Sequence, residues 1–220
     1  MSIFTENLTS KLLQQNSIKI LNLKKDNNVL ELGCGNGNIT KYLIDHQKYN
    51  NNFFCSDISL EAIEIVKKNI NYPKLVARSG SMFEPWKSDN LKYDVIISDV
   101  SSISEPIAEK SPWYSGVISD CGLDGLKNVK IILKDLKKFL KNDGYFILPI
   151  ISLCNLNILN ELLKNNFINI SYSEQINWPI PEFFKNNINN FQNLIDTNQI
   201  SVEYKFGAYL AFTCVAICSN

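Results

Sequence analysis

Two spacings of apolar residues alternate along the chain. Short unbroken runs, Val29-Leu30-Glu31-Leu32, Phe53-Phe54-Cys55-Ser56, Leu75-Val76-Ala77 and residues 93–98, have the length and density of buried strands. Around them apolar positions recur every three or four residues, as on one face of a helix. Leu8, Leu12, Leu13, Ile18, Ile20 and Leu21 predict a leading helix or helix pair over residues 8–23. A second helix runs from Gly37 to about Asp45. A third opens at Ser59, whose hydroxyl can cap it, and shows Ala62, Ile63, Val66 and Ile70 on one face.

The clearest helix spans residues 124–140, with Leu126, Val129, Ile132, Leu133, Leu136, Phe139 and Leu140 at helical spacing and lysines opposite. Asn142-Asp143-Gly144 is expected to end it, and Tyr145-Phe146-Ile147-Leu148 to start a fifth strand. Ser152 is expected to open another helix through Leu153, Leu156, Leu159, Leu162 and Leu163. The tail 206–218 reads as a long strand buried on both faces. Strands alternating with helices predict an α/β fold, a mostly parallel sheet with helices on both sides. No repeat or linker divides the 220 residues. The expected organisation is a helical segment, 1–26, packed on one domain, 27–220.

Charge narrows the partners. The 22 basic residues balance 22 acidic ones, and Arg78 is the only arginine. A phosphate-tracking surface needs a basic excess and uses Arg for bidentate contacts, so extended nucleic-acid binding is not expected. The six cysteines (Cys34, Cys55, Cys121, Cys154, Cys214, Cys218) form no C-x-x-C and share the chain with one histidine, His46. That pattern predicts no metal site and a reduced, cytoplasmic setting. No run has the length of a membrane span.

Chemistry concentrates after the first strand, where Glu31-Leu32-Gly33-Cys34-Gly35-Asn36-Gly37 leads into a helix. Alternate glycines let the backbone turn tightly and approach a ligand closely. The G-x-G-x-G spacing is not the G-x-G-x-x-G of a dinucleotide fingerprint. Glu31, two positions before the first glycine, would repel a pyrophosphate and stabilise an ammonium. Asp57, ending the second strand, is placed to accept hydrogen bonds from ribose hydroxyls. Together these describe a nucleoside with a cationic, phosphate-free tail.

VLELGCGNGNIT resembles motif I of the class I S-adenosylmethionine-dependent methyltransferases, and FFCSDIS their second-strand acidic motif. The resemblance, over residues 26–150, implies a Rossmann-like seven-stranded sheet and S-adenosyl-L-methionine as cofactor. It implies that Glu31, Gly33, Cys34, Gly35 and Gly37 surround the methionyl end, Asp57 the ribose, and Ile58 the adenine. SGSMFEPW resembles the third motif, with Ser81 where an aspartate is common, which implies that the backbone at Met82 and Phe83 takes that contact; Ser98 is a further cofactor-binding candidate. GSMFEPW and CGLDGLKNVKIILKDLKKFLKNDGYFIL are similar to the HemK-type glutamine methyltransferases. Their fourth-strand Asn-Pro-Pro-Tyr is replaced here by Ser98-Asp99-Val100-Ser101-Ser102.

This replacement implies an N or O nucleophile other than a glutamine amide, on a small-molecule or protein acceptor. Asp99 is the candidate catalytic residue: it can orient an amine, act as general base, or offset the spent positive charge. A carboxylate ending a strand also commonly caps a turn or pairs with lysine. Ser101, Ser102, Trp113 and Tyr114 are candidate acceptor contacts on the long 100–123 connection. Residues 178–205, with Phe184, Ile188, Phe191 and Ile195 at helical spacing, read as core, lid or interface. A catalytically inactive, cofactor-binding scaffold is the alternative function, and a nucleotide-binding oxidoreductase a third.

Overall fold

The computed structural model describes residues 7–100, 102–114 and 120–220. Five parallel strands form the centre: β1 (Asn28–Leu32), β2 (Asn52–Asp57), β3 (Leu75–Ser79), β4 (Tyr93–Ser98) and β5 (Leu140–Ile151). Strand β9 (Ala208–Ser219) lies antiparallel to β5, and β6 (Asn169–Tyr172) lies outside it, giving the order β3-β2-β1-β4-β5-β9-β6. The chain builds outward from β1 to β3, then returns to lay β4 on the other side of β1. Such a reversal opens a crevice at the carboxyl ends of the two central strands, where open α/β sheets bind ligands.

Period-two alternation assigns the faces. Leu30, Leu32 and Ile96 pack with helices α5 (Lys127–Phe139) and α6 (Leu156–Asn166). Val29, Phe53, Val95 and Ile97 pack with α1 (Leu8–Leu21) and α2 (Asn38–His46). Helix α3 (Leu60–Asn69) closes a smaller cluster of Cys34, Cys55, Ile63, Val66 and Ile70. Helix α1 is a single helix, and it buries Thr9, Ser10, Gln14 and Ser17 beside its leucines. Ser59 does cap α3, accepting from the Ala62 N–H at 3.2 Å. All six cysteines are free and buried. No helix among the described residues is long and apolar enough to cross a membrane.

Three expectations change. Among the described residues the sheet has nine strands, because β9 runs past the end of β5 and its first half is covered by β7 (Ile176–Pro179) and β8 (Glu203–Lys205). An uncovered stretch of that length would leave a row of unpaired backbone groups. Strand β5 begins directly after α5, with Leu140 opposite Tyr93; the register then shifts, and Tyr145 lies opposite Val95. Asn142-Asp143-Gly144 is therefore an excursion within the strand and not the helix stop. Buried Asp94 anchors it, accepting from Lys141 Nζ (2.8 Å), Lys24 Nζ (3.4 Å) and the Asn28 N–H (2.9 Å). Finally, Ser152 continues the pairing with Phe212, donating to its carbonyl and accepting from its N–H, both at 3.0 Å. Asn155 caps α6 instead, through the Ile158 N–H.

Residues 102–114 and 178–205 build one cap. Helix α4 (Glu105–Lys110) supplies Ile107 and Ala108; α7 (Glu182–Asn186) and α8 (Ile188–Asp196) supply Phe184 and Phe191. With Ile103, Leu153, Ile180, Ile200 and Ala211 these form a satellite core beyond the carboxyl ends of β4 and β5.

Candidate functional site

Leu32 lies opposite Ser56 on one side and Ser98 on the other. The next residues along the three strands, Gly33, Asp57 and Asp99, therefore stand at one level. The Gly33 N–H donates to the Ser56 carbonyl (2.9 Å) and the Asp99 N–H to that of Leu32 (3.2 Å), so the level is held by hydrogen bonds. Glu31, Asp57 and Asp99 share the parity of Val29, Phe53 and Val95. All three carboxylates thus belong to the face covered by α1, α2 and α3.

Gly33, Gly35 and Gly37 have φ of 74°, 51° and 80°, a region costly for residues with a Cβ. A Cβ at Gly33 would stand 2.9 Å from Val100 Cγ1, and one at Gly37 2.9 Å from Val66 Cγ2 and Ile70 Cδ1. A Cβ at Gly35 would meet nothing within 4 Å; this part of the loop faces open space. Asp57 pins the loop: Oδ2 accepts from the Gly35 N–H (2.9 Å) and Oδ1 from the Ser59 N–H (2.8 Å). Cys34 turns its thiol into the α3 cluster, where contact with Cys55 and burial push its pKa far up.

Glu31 is 2% exposed. Its Oε2 accepts from both the N–H (3.0 Å) and the hydroxyl of Thr40, in the first turn of α2. Burial pushes its carboxyl up to about 8, against those two hydrogen bonds, with Asp99 and Asp57 adding to the rise. Asp99 is half-buried and accepts from Ser10 Oγ of α1 at 3.2 Å. Burial raises it to about 6, opposed by the Ser10 bond. None of the three carboxylates is paired with a lysine or arginine among the described residues.

Ile58 follows Asp57 with 66% of its surface exposed, an apolar side chain standing beside the loop. Ser81 and Met82 form the turn after β3; Met82 has φ 48°, and its carbonyl accepts from Ser56 Oγ at 3.1 Å. Ser98 and Ser102 are buried, and Ser101 lies outside the described residues. Trp113 and Tyr114 belong to the satellite core: Trp113 meets Trp178 and Phe183 edge-on, with ring centroids 5.7 and 5.3 Å apart. His46 stacks on Tyr42 and bonds its carbonyl at the end of α2. Two site residues escaped the sequence, Thr40 and Ser10. The one available signal was polar residues on the apolar face of the first helix.

The family model of the methyltransferase domain matches residues 23–199. The chain belongs to this methyltransferase family. It is 33% identical over 140 residues to a "Bifunctional methyltransferase" of Rickettsia bellii, covering 60% of this chain and 25% of that one. The chain thus spans about a quarter of the length of the Rickettsia relatives it matches. Among solved structures, a precorrin-6y C5,15-methyltransferase from Geobacter metallireducens superposes with a TM-score of 0.56 at 11% identity, covering 94% of this chain and 87% of that one. A coclaurine N-methyltransferase bound to N-methylheliamine and SAH gives 0.52 at 11%, covering 99% and 74%. At such identities the likeness is one of fold.

S-adenosyl-L-methionine is the cofactor that the resemblance of the glycine loop to motif I implies. The open space at Gly35, between Asp57 and the α2 amino end, fits that group. So does the excess of negative charge, since the cofactor carries both a sulfonium and an ammonium.

Proposed function

We propose that this methyltransferase transfers a methyl group to an amine or hydroxyl held at Asp99. The observation that carries the reading is the convergence of Glu31, Asp57 and Asp99 on one face of the strand ends, without a basic partner among the described residues. The bound cofactor supplies an activated methyl on sulfur. The chain must align a nucleophile with it, exclude water and accept the released proton.

In this reading Asp57 holds the ribose while keeping the glycine loop in place, and Ile58 packs on the adenine beside the Ser81-Met82 turn. The backbones of Gly33, Cys34, Gly35 and Gly37 follow the methionyl end, and Ser98 closes the floor. Glu31 acts through its charge and its hold on Thr40. Asp99, raised to about 6, is ionised at neutral pH yet basic enough to take a proton. Ser102 and the Trp113–Tyr114 side of the cap face the acceptor. The likeness to HemK-type enzymes extends to the cofactor half. An ionised carboxylate followed by Val100 replaces the Asn and Pro that hold a planar amide, which favours a nucleophile that must lose a proton.

The direct test is equilibrium binding by calorimetry. S-adenosylmethionine should bind one-to-one and be displaced by S-adenosylhomocysteine, with no binding of NAD; binding of NAD alone would overturn the reading. Asp57→Ala should weaken S-adenosylhomocysteine binding about tenfold and cost about 1–3 kcal/mol of stability, because two backbone N–H groups lose their acceptor. Unchanged affinity in that variant would remove Asp57 from the ribose site.

A further inference from the structure

A second concavity, of about 430 Å³, lies between α5 and the segment leading into β4. Tyr93 and Leu140, at the starts of β4 and β5, lie opposite each other, so residues 86–92 and 135–139 adjoin the amino ends of these strands. The glycine loop is at the other end of the sheet. Trp86, Leu91 and Phe139 give this concavity an apolar floor, and Lys87, Lys92 and Lys138 stand around it.

Charge here departs from the neutrality of the whole chain. Asp135 is the one carboxylate in the lining, and it is held by Lys138 at 2.6 Å. That bond, with the fields of Lys138, Lys87 and Lys134, keeps the Asp135 carboxyl below its usual range. Lys87 and Lys134 have no partner among the described residues, while Lys92 reaches only the Lys137 carbonyl, at 3.4 Å. Arg78 lies over the Trp86 ring at 4.6 Å and is itself paired with Asp89 at 2.8 Å. Three lysines against one carboxylate leave the lining a surplus of two positive charges, matching a dianion.

Trp86 supplies an independent observation. It is 1% exposed, and its indole N–H has no acceptor. The hydroxyl of Tyr93, whose ring lies 6.4 Å away, is also buried and unpartnered. Buried donors without acceptors cost about 1–3 kcal/mol each and are rare in folded proteins.

We infer that this concavity is a binding site for a phosphate monoester carried on a compact apolar or planar body, separate from methyl transfer. The phosphate, with a charge of about −1.5 to −2 at neutral pH, matches Lys87, Lys92 and Lys138. The body covers Trp86, Leu91 and Phe139. A nucleic-acid backbone fits less well. Farther along α5, Lys127 and Lys130 are neutralised by Asp120 and Asp124, so the basic surface does not extend into a track.

Phenyl phosphate is a suitable probe, titrated into the full chain with S-adenosylhomocysteine saturating the cofactor site and followed by backbone-amide NMR. Saturable shifts should be confined to residues 84–93 and 134–140, with affinity about tenfold above that of phenol or inorganic phosphate. The Lys87→Gln/Lys138→Gln double variant, altered only at exposed positions, should lose about tenfold in that affinity and keep its S-adenosylhomocysteine affinity. Phenyl phosphate binding no tighter than phenol, shifts centred elsewhere, or full affinity in the double variant would each overturn the assignment. None of these results bears on methyl transfer.

Discussion

Replacing Asp99 by asparagine is expected to lower kcat by about two to four orders of magnitude, the usual contribution of a positioned general base. Affinity for S-adenosylhomocysteine should stay within about twofold, because the loss is one of proton transfer and not of binding. Asparagine has the same shape, and its carbonyl can still accept from Ser10 Oγ, so α1 keeps its contact with the site. With the carboxyl raised to about 6, the parent enzyme should show kcat/KM rising with pH below that value and level above it. The Asp99→Asn variant should lose that acidic limb as well as the rate. Release of labelled methyl from the cofactor onto pools of amines, phenols and proteins, compared for parent and variant, measures both. Equal turnover would place Asp99 outside the chemistry and leave it as a tie between β4 and α1.

The contrast between these two roles shows what was legible in the sequence. The glycine loop, Asp57 and the strand ends could be read because each is a local pattern: alternate glycines, a short apolar run, an acidic residue at its end. Their alignment follows from one register, Leu32 between Ser56 and Ser98. The start of β5 was misplaced because Asn-Asp-Gly is the composition of a helix stop and of a bulge alike. What separates the two is Asp94, some fifty residues earlier, collecting Lys141 and Lys24. The partner of Asp99 lies 89 positions away in a helix whose polar residues looked merely amphipathic. Neutral overall charge likewise concealed the lysines around Trp86, since balance over the whole chain says nothing about separation in space. Loop length alone points to Trp113 and Tyr114 as acceptor contacts, and it gives no sign that Trp113 packs on Trp178 and Phe183, more than sixty positions on.

Glu31→Gln should produce the largest change in how stability depends on pH. The carboxyl has a pKa of about 8 in the folded protein against 4.5 for the free group, and it is 2% exposed. Between these values the unfolded chain is ionised while the folded one keeps its proton, so the folded state binds more protons and loses stability as pH rises. This contribution is fully present below about 4.5 and gone above about 8. Glutamine never ionises. Its carbonyl oxygen can take the place of Oε2, which alone accepts both Thr40 bonds. The variant should therefore match the parent near pH 4.5 and exceed it by about 2–5 kcal/mol near pH 8, measured by urea denaturation. Cofactor binding should respond in the opposite sense. A bound ammonium and sulfonium lower the Glu31 pKa, so at pH 7 the parent must release up to about one proton on binding. Calorimetry in buffers of different ionisation enthalpy reads that number directly. The variant should release none and bind about tenfold more weakly at pH 8, where only the parent offers a buried negative charge. Asp99 titrates lower, near 6, and does not mask the difference at pH 7 to 8. Parallel stability curves for the two proteins would show that Glu31 is ionised throughout. In that case Glu31 would already carry its charge at pH 7, and the parent would release no proton on binding the cofactor.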